Sequence, residues 1–148
     1  MRSALYDKDF FAWANEQARL LRAGKLAEAD IEHIAEEIES MGKTEKRELV
    51  SRLEVLLMHL LKWQFQPERR GKSWTNTIRV QRNHLEAHLA DNPSLKSQLG
   101  AAVRLAYENA RLEAAAETDL DESVFPAVCA WSPMQILASE FWPDRAAS

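Results

Sequence analysis

His84 and His88 stand four residues apart, so on a helix they share one face, with Gln81 one turn earlier. Two neutral imidazoles at that spacing can hold one divalent metal if a third ligand comes from elsewhere, with His59, Glu36 and Glu39 as the candidates. Helical bundles build metal sites in this way from facing helices. The plainer reading is a solvated histidine pair beside Glu86, and it is preferred.

A second chemistry uses arginine. Arg82-Asn83 followed by His88 fits a loose Arg-to-His spacing, as do Arg52 with His59 and Arg79 with His84. The spacing is similar to the motif of the helical "higher eukaryote and prokaryote nucleotide-binding" ribonucleases. There, histidine would act as general acid or base at a ribose hydroxyl, and arginine would stabilise the charge of the phosphorane. With 12 Arg and four His in the chain, about one such match is expected by chance. The ribonuclease, or a metal-dependent hydrolase using Arg82, His84 and His88, is therefore held as the alternative.

His59, Lys62, Trp63 and Gln66 recur at i, i+3, i+4 and i+7 and form one stripe on an otherwise apolar helix. Polar groups on such a face need partners. Glu36, Glu37 or Glu39 of the preceding acidic segment would supply them. A buried Glu–His–Lys network is an active-site candidate through its shifted proton affinities, and equally a structural core that fixes helix register. The structural reading is favoured. Arg69, Arg70, Lys72, Arg79 and Arg82, flanked by Trp63 and Trp74, could stack bases and hold phosphates. They could also meet an acidic protein, or pair with the chain's own acidic segment while the tryptophans anchor the core. Nucleic acid is the less favoured partner. Cys129 has no basic neighbour in sequence and reads as a buried structural thiol.

Helices must position these residues. Asp7 is placed to cap a first helix reaching about residue 22, with Phe10, Trp13, Ala14, Leu20 and Leu21 on its buried stripe and Gly24 at its end. A second helix is expected over about 28–41, carrying Ile31, Ile34, Ala35 and Ile38 and stopped by Gly42. Thr44 then caps a third, reaching about residue 66. Its Leu49, Val50, Leu53, Leu56, Leu57, Leu60 and Leu61 cover more than one face, which makes it the central helix of a bundle. Pro67 ends it. Ser73 caps a fourth helix over about 74–90, Asn92-Pro93 starts a fifth that runs to about 118, and residues 119–131 are mostly irregular. Ser132-Pro133-Met134-Gln135 reads as a capping box opening a last short helix to Phe141, with Trp131 and Ile136 placed as a hydrophobic staple. No segment alternates as a strand does.

Composition agrees with this all-α expectation. The chain has 148 residues, 46% hydrophobic and 28% charged, with four Gly and five Pro. That suits one globular helical domain spanning residues 1–148. A single Cys excludes an internal disulfide and a multi-thiolate zinc site, and it fits a reducing cytoplasm. The N-terminal segment does not read as a signal peptide. The strongest apolar run, 55–61, is interrupted by His59 and far shorter than the roughly 20 residues a membrane span needs. No membrane association and no cofactor is expected. Net charge is −4 and unevenly spread: residues 28–41 carry six acids and no Lys or Arg, whereas 62–82 carry six basic residues against Glu68.

Several of these residues also carry a resemblance. Leu5-Tyr6-Asp7-x-Asp9-Phe10-x-x-Trp13, Glu36-Glu37-Ile38-Glu39-Ser40-Met41-Gly42, His59-Leu60-Leu61-Lys62-Trp63-Gln64 with Pro67-Glu68-Arg69-Arg70, and Ser73-Trp74-x-x-x-Ile78-x-x-Gln81-Arg82 occur in that order. They resemble the bacterial domain of unknown function 29, abundant in cyanobacteria and present in proteobacteria. The likeness extends from Leu5 to about Asp144, including Phe141-Trp142-Pro143. It implies a compact helical bundle, usually a stand-alone small bacterial protein, and it carries over no catalytic residue. His84 and His88 lie outside the resembling motifs. The reading is a bundle of five to six helices acting as a non-enzymatic binding module. Its polar-aromatic groove would comprise Glu36, Glu39, His59, Lys62, Trp63, Arg70, Trp74, Gln81 and Arg82, and its partner would be a protein or a small ligand. A homodimer is a further possibility.

Overall fold

A computed structural model describes residues 3–144. Six α-helices and no strand occur among them. They are α1 (Leu5–Lys8), α2 (Phe10–Arg22), α3 (Ile31–Phe65), α4 (Lys72–Asp91), α5 (Leu99–Thr118) and α6 (Pro133–Leu137), with short 3-10 turns between. The fold is all-α, as the composition implied. Two compact units are distinguished, residues 1–44 and 45–148.

In the first unit, α1 is a single turn, and Asp9 rather than Asp7 caps the helix that follows: its carboxylate accepts from the Ala12 amide at 3.0 Å. Gly24 takes φ +72° just beyond α2, the left-handed conformation that glycine adopts without penalty. Trp13, Gln17 and Leu20 form the buried stripe of α2, whereas Phe10 and Leu21 of the expected stripe are exposed.

The 35-residue α3 corrects the largest sequence expectation. Gly42 does not stop a helix and Thr44 does not cap one. Residues 31–65 are one continuous helix, and the Thr44 hydroxyl donates to the Ser40 carbonyl one turn back, at 3.0 Å. Strong helix formers flank Gly42 on both sides, and one interior glycine costs only about 1 kcal/mol. A chain reversal there would have left backbone groups of two helix ends unpaired. Ile31 and Ile38, carried by the expected second helix, and Met41 just before Gly42 are exposed.

In the second unit, Leu49, Leu53, Leu56, Leu57 and Leu60 of α3 have no exposed surface. Their spread over more than one face matches the central role expected of this helix. Burying each Leu contributes roughly 1.5–3 kcal/mol. They join Ile78, Leu85 and Leu89 of α4 and Val103 and Tyr107 of α5 in one core, which Phe125 and Ile136 complete. Ala102, Ala106, Ala110 and Ala114 recur every four residues along the buried face of α5, and such small side chains permit close helix packing.

Boundaries shift elsewhere by a few residues. Gly71 precedes α4, so Ser73 lies inside that helix and not at its cap. Residues 93–98 form a 3-10 segment before α5. The Ser132–Gln135 capping box is present with both of its hydrogen bonds, but α6 ends at Leu137 and does not reach Phe141.

Candidate functional site

The residues expected to share one groove fall into separate clusters, each built by a different part of the fold. Lys62 and Trp74 do come together. The Lys62 side chain is almost buried, and its ammonium donates to Glu117 Oε1 at 2.7 Å and lies 5.0 Å from the Trp74 ring centroid. Its carboxylate partner therefore comes from α5, and not from Glu36, Glu37 or Glu39. With no reversal at Gly42, the acidic segment is not a second helix that returns along the first. Glu36 and Glu39 are exposed. His59, one turn before Lys62, donates Nδ1–H to the Val55 carbonyl at 2.8 Å. Burial holds its proton affinity below the ordinary histidine value, helped by the Lys62 charge and opposed by the Val55 contact and Glu117.

Beside this pair, α3 and α5 set Glu54 against Glu113. Glu113 is pushed up to about 7 by its hydrogen bond to Glu54, by burial, and by the charges of Glu54 and Glu117. Asn109 Nδ2 also donates to Glu54 Oε1, at 3.3 Å.

Trp63, Arg70 and Arg82 serve a different purpose. Arg70 Nε donates to the Trp63 carbonyl at 2.7 Å, its Nη2 to Pro143 at 3.4 Å, and its guanidinium lies over the Trp63 ring at 4.8 Å. Arg82 is buried; Nε donates to the Ile136 carbonyl and Nη2 to the Phe141 carbonyl, each at 2.8 Å. Trp142 packs 4.6 Å from Trp63 and 5.5 Å from the Arg82 guanidinium. Burial pushes the Arg82 guanidinium down, with Glu140 opposing. These two basic residues fasten the C-terminal segment to the bundle. Gln81 accepts from Arg52 Nη1 at 3.4 Å.

Arg82, His84 and His88 are not brought together. Arg82 faces the C-terminal segment, His84 is exposed, and His88 is buried against Glu45 and Glu48 of α3.

Two groups escaped the sequence reading. In the first unit, buried Asp30 accepts from Trp13 Nε1 at 3.0 Å, from the Ser3 amide at 2.9 Å and from His33 Nδ1 at 2.7 Å, while its own amide donates to Gln17. Burial raises its proton affinity, but the bonds from His33, Ser3 and Trp13 overcome that and hold the carboxylate down at about 2. The Tyr6 ring stacks on His33 with centroids 3.7 Å apart, and its hydroxyl donates to Glu37. That bond leads the causes that push Tyr6 up to about 12, with burial and nearby acids adding. Asp30-x-x-His33 was the available signal, an i, i+3 pair beside the Tyr6–Trp13 motif.

The second is a cleft of about 710 Å³ between α5 and residues 122–133. Arg104, Tyr107 and Arg111 line it from the helix, and Cys129 and Trp131 from the opposite segment. Tyr107 donates to the Pro126 carbonyl at 2.6 Å and Arg111 Nε to that of Phe125 at 3.2 Å, which pins the irregular segment along the helix. Tyr107 is pushed up to about 12, first by burial and then by Cys129, against the charge of Arg111. Burial pushes the Cys129 thiol up, opposed by the Trp131 backbone. In sequence, only Arg104, Tyr107 and Arg111 at helical spacing hinted at this wall.

The family model described as domain of unknown function DUF29 matches residues 5–142. The chain belongs to the DUF29 family. No curated protein and no solved structure matches it. The Tyr6–Trp13 run by which this DUF29 chain was legible in sequence builds the Asp30 network. Likewise Trp63, Arg70 and Arg82 of the middle motifs, with Phe141-Trp142-Pro143, build the C-terminal fastening. Among the described residues, no helix is long and apolar enough to cross a membrane.

Proposed function

We propose that this DUF29 chain is a non-enzymatic binding module whose ligand site is the α5 cleft. The cleft carries the proposal: it is a sizeable concavity with aromatic, thiol and guanidinium groups on its walls. The groove expected around His59, Trp63 and residues 67–82 has less support, because Trp63, Arg70 and Arg82 are engaged with the C-terminal segment. The wall chemistry suits a small organic ligand with a planar apolar part set against Trp131 and Tyr107 and polar substituents reaching Arg104. A single unpaired thiol fits a cytoplasmic setting. The family match runs across both compact units, which supports treating residues 1–148 as one functional domain.

Cys129 supplies the readout. Protein purified gently and examined by native mass spectrometry should retain a small molecule, and its Cys129 should alkylate more slowly than after the ligand is dialysed away. Ligands that shift NMR resonances of 59–82 but leave Arg104, Tyr107 and Trp131 unmoved would return the site to the His59 groove. Turnover of a bound molecule would overturn the non-enzymatic assignment.

A further inference from the structure

Glu45 and Glu48 stand one turn apart on α3, and His88 lies near the end of α4. The His88 side chain is 6% exposed. Its Nε2 is 2.8 Å from the main-chain oxygen of Glu45, while Nδ1 is 2.8 Å from Glu48 Oε2 and 3.6 Å from Glu45 Oε2. Both ring nitrogens therefore face oxygen. A neutral imidazole offers one N–H and one lone pair, so either tautomer would aim a lone pair at an oxygen acceptor. The geometry is satisfied when Nε2–H donates to the carbonyl and Nδ1 binds a cation, either a proton or a metal ion.

We propose that Glu45, Glu48 and His88 form a site for one divalent transition-metal ion of the zinc type. One imidazole nitrogen and two carboxylate oxygens are a zinc donor set, with a fourth position for water. The three donor atoms already lie within 4.8 Å of one another. Zinc–ligand bonds of about 2.0–2.2 Å bring tetrahedral donors to roughly 3.3–3.6 Å apart, and rotation of two partly exposed glutamates covers the difference. The Nε2–H bond to a main-chain carbonyl is the contact that orients metal-binding histidines, and here the carbonyl belongs to a ligand residue. Arg52 Nη2 lies 3.8 Å from Glu48 Oε1, while Oε2 is the oxygen that meets His88. The imidazole favours zinc over magnesium or calcium. His84 is exposed and outside this donor set, and the site is separate from the α5 cleft.

The test is calorimetric titration of zinc chloride into the chelator-stripped full chain, beside Glu48→Gln, His88→Gln and His84→Ala. One equivalent should bind to the parent protein and raise its Tm. Glu48→Gln and His88→Gln should weaken binding at least about tenfold, and His84→Ala should leave it unchanged. Should His88→Gln fail to fold by circular dichroism, Glu48→Gln decides, because that side chain is 45% exposed and its loss leaves the core intact. Absence of stoichiometric zinc in the parent protein, unaltered binding in Glu48→Gln, loss in His84→Ala, or displacement by millimolar magnesium would each overturn the proposal.

Discussion

Asp30 in the first unit and Glu113 in the second are both carboxyl groups set among polar neighbours, and they are driven in opposite directions. Asp30 is surrounded by donors, an indole, a main-chain amide and an imidazole, and is held at about 2. Glu113 is surrounded by acceptors, Glu54 and Glu117, and is pushed up to about 7. Burial raises proton affinity in both. The count of donors against acceptors decides the sign, and with it whether the cluster strengthens or weakens its unit at neutral pH.

Removing the donor-rich centre is expected to have the largest effect. Asp30→Ala strands the Trp13 indole and the Ser3 amide away from their acceptor, and should destabilise the first unit by about 3 kcal/mol. Accelerated hydrogen exchange across residues 3–44 would show it; unchanged exchange would mean that the network is incidental.

Arg82→Met comes next. It leaves the carbonyls of Ile136 and Phe141 without their donors and should cost about 2 kcal/mol, seen as a lower Tm and faster proteolysis after residue 131. Arg82→Lys should rescue little, because an ammonium cannot span both carbonyls.

The two carboxyl groups should also separate along the pH axis. Asp30 is lowered from 3.8 to about 2, so its contribution is complete above about 4 and is lost as pH falls toward 2. Glu113 is raised from 4.5 to about 7, so its contribution is present below about 4.5 and is lost as pH rises through 7. Glu113→Gln should therefore flatten the stability profile between pH 5 and 8 and leave the acid limb untouched. A profile still falling over that range would place the titrating group elsewhere.

The smallest expected change tests neither cluster but the helix that both units draw on. Gly42 is helical, and a Cβ there would meet nothing within 4 Å. Gly42→Ala should stabilise by about 0.5 kcal/mol in thermal melts. A loss would mean that the chain bends at this point.

The same residues show how much was legible beforehand. Periodicity located the central leucine helix, and the capping box announced α6. Gly42 misled because a glycine marks a helix end only when its left-handed conformation is used, as at Gly24, and composition does not reveal φ. The Trp63, Arg70 and Arg82 motifs stood out in the sequence, but the partners of Arg82 are carbonyls more than fifty residues away, at Ile136 and Phe141. Main-chain acceptors carry no sequence signature, so guanidiniums tied to them look the same as guanidiniums awaiting a phosphate. The cleft was hidden for a related reason: one of its walls is an irregular segment whose course is set by the Tyr107 and Arg111 bonds to main-chain oxygens.

The fastening of the last segment by Arg82 also bears on how the protein is made. Translation delivers α3, α4 and α5 before Ile136 and Phe141 exist, so Arg82 has neither of its main-chain acceptors until the chain has grown past residue 141. Premature termination before codon 136 would remove both acceptors and the Trp142 ring that covers the guanidinium, and so uncover that flank of the bundle. Such fragments would be marked for proteolysis by their lower stability, and a chain would have to extend past residue 141 to complete the fastening.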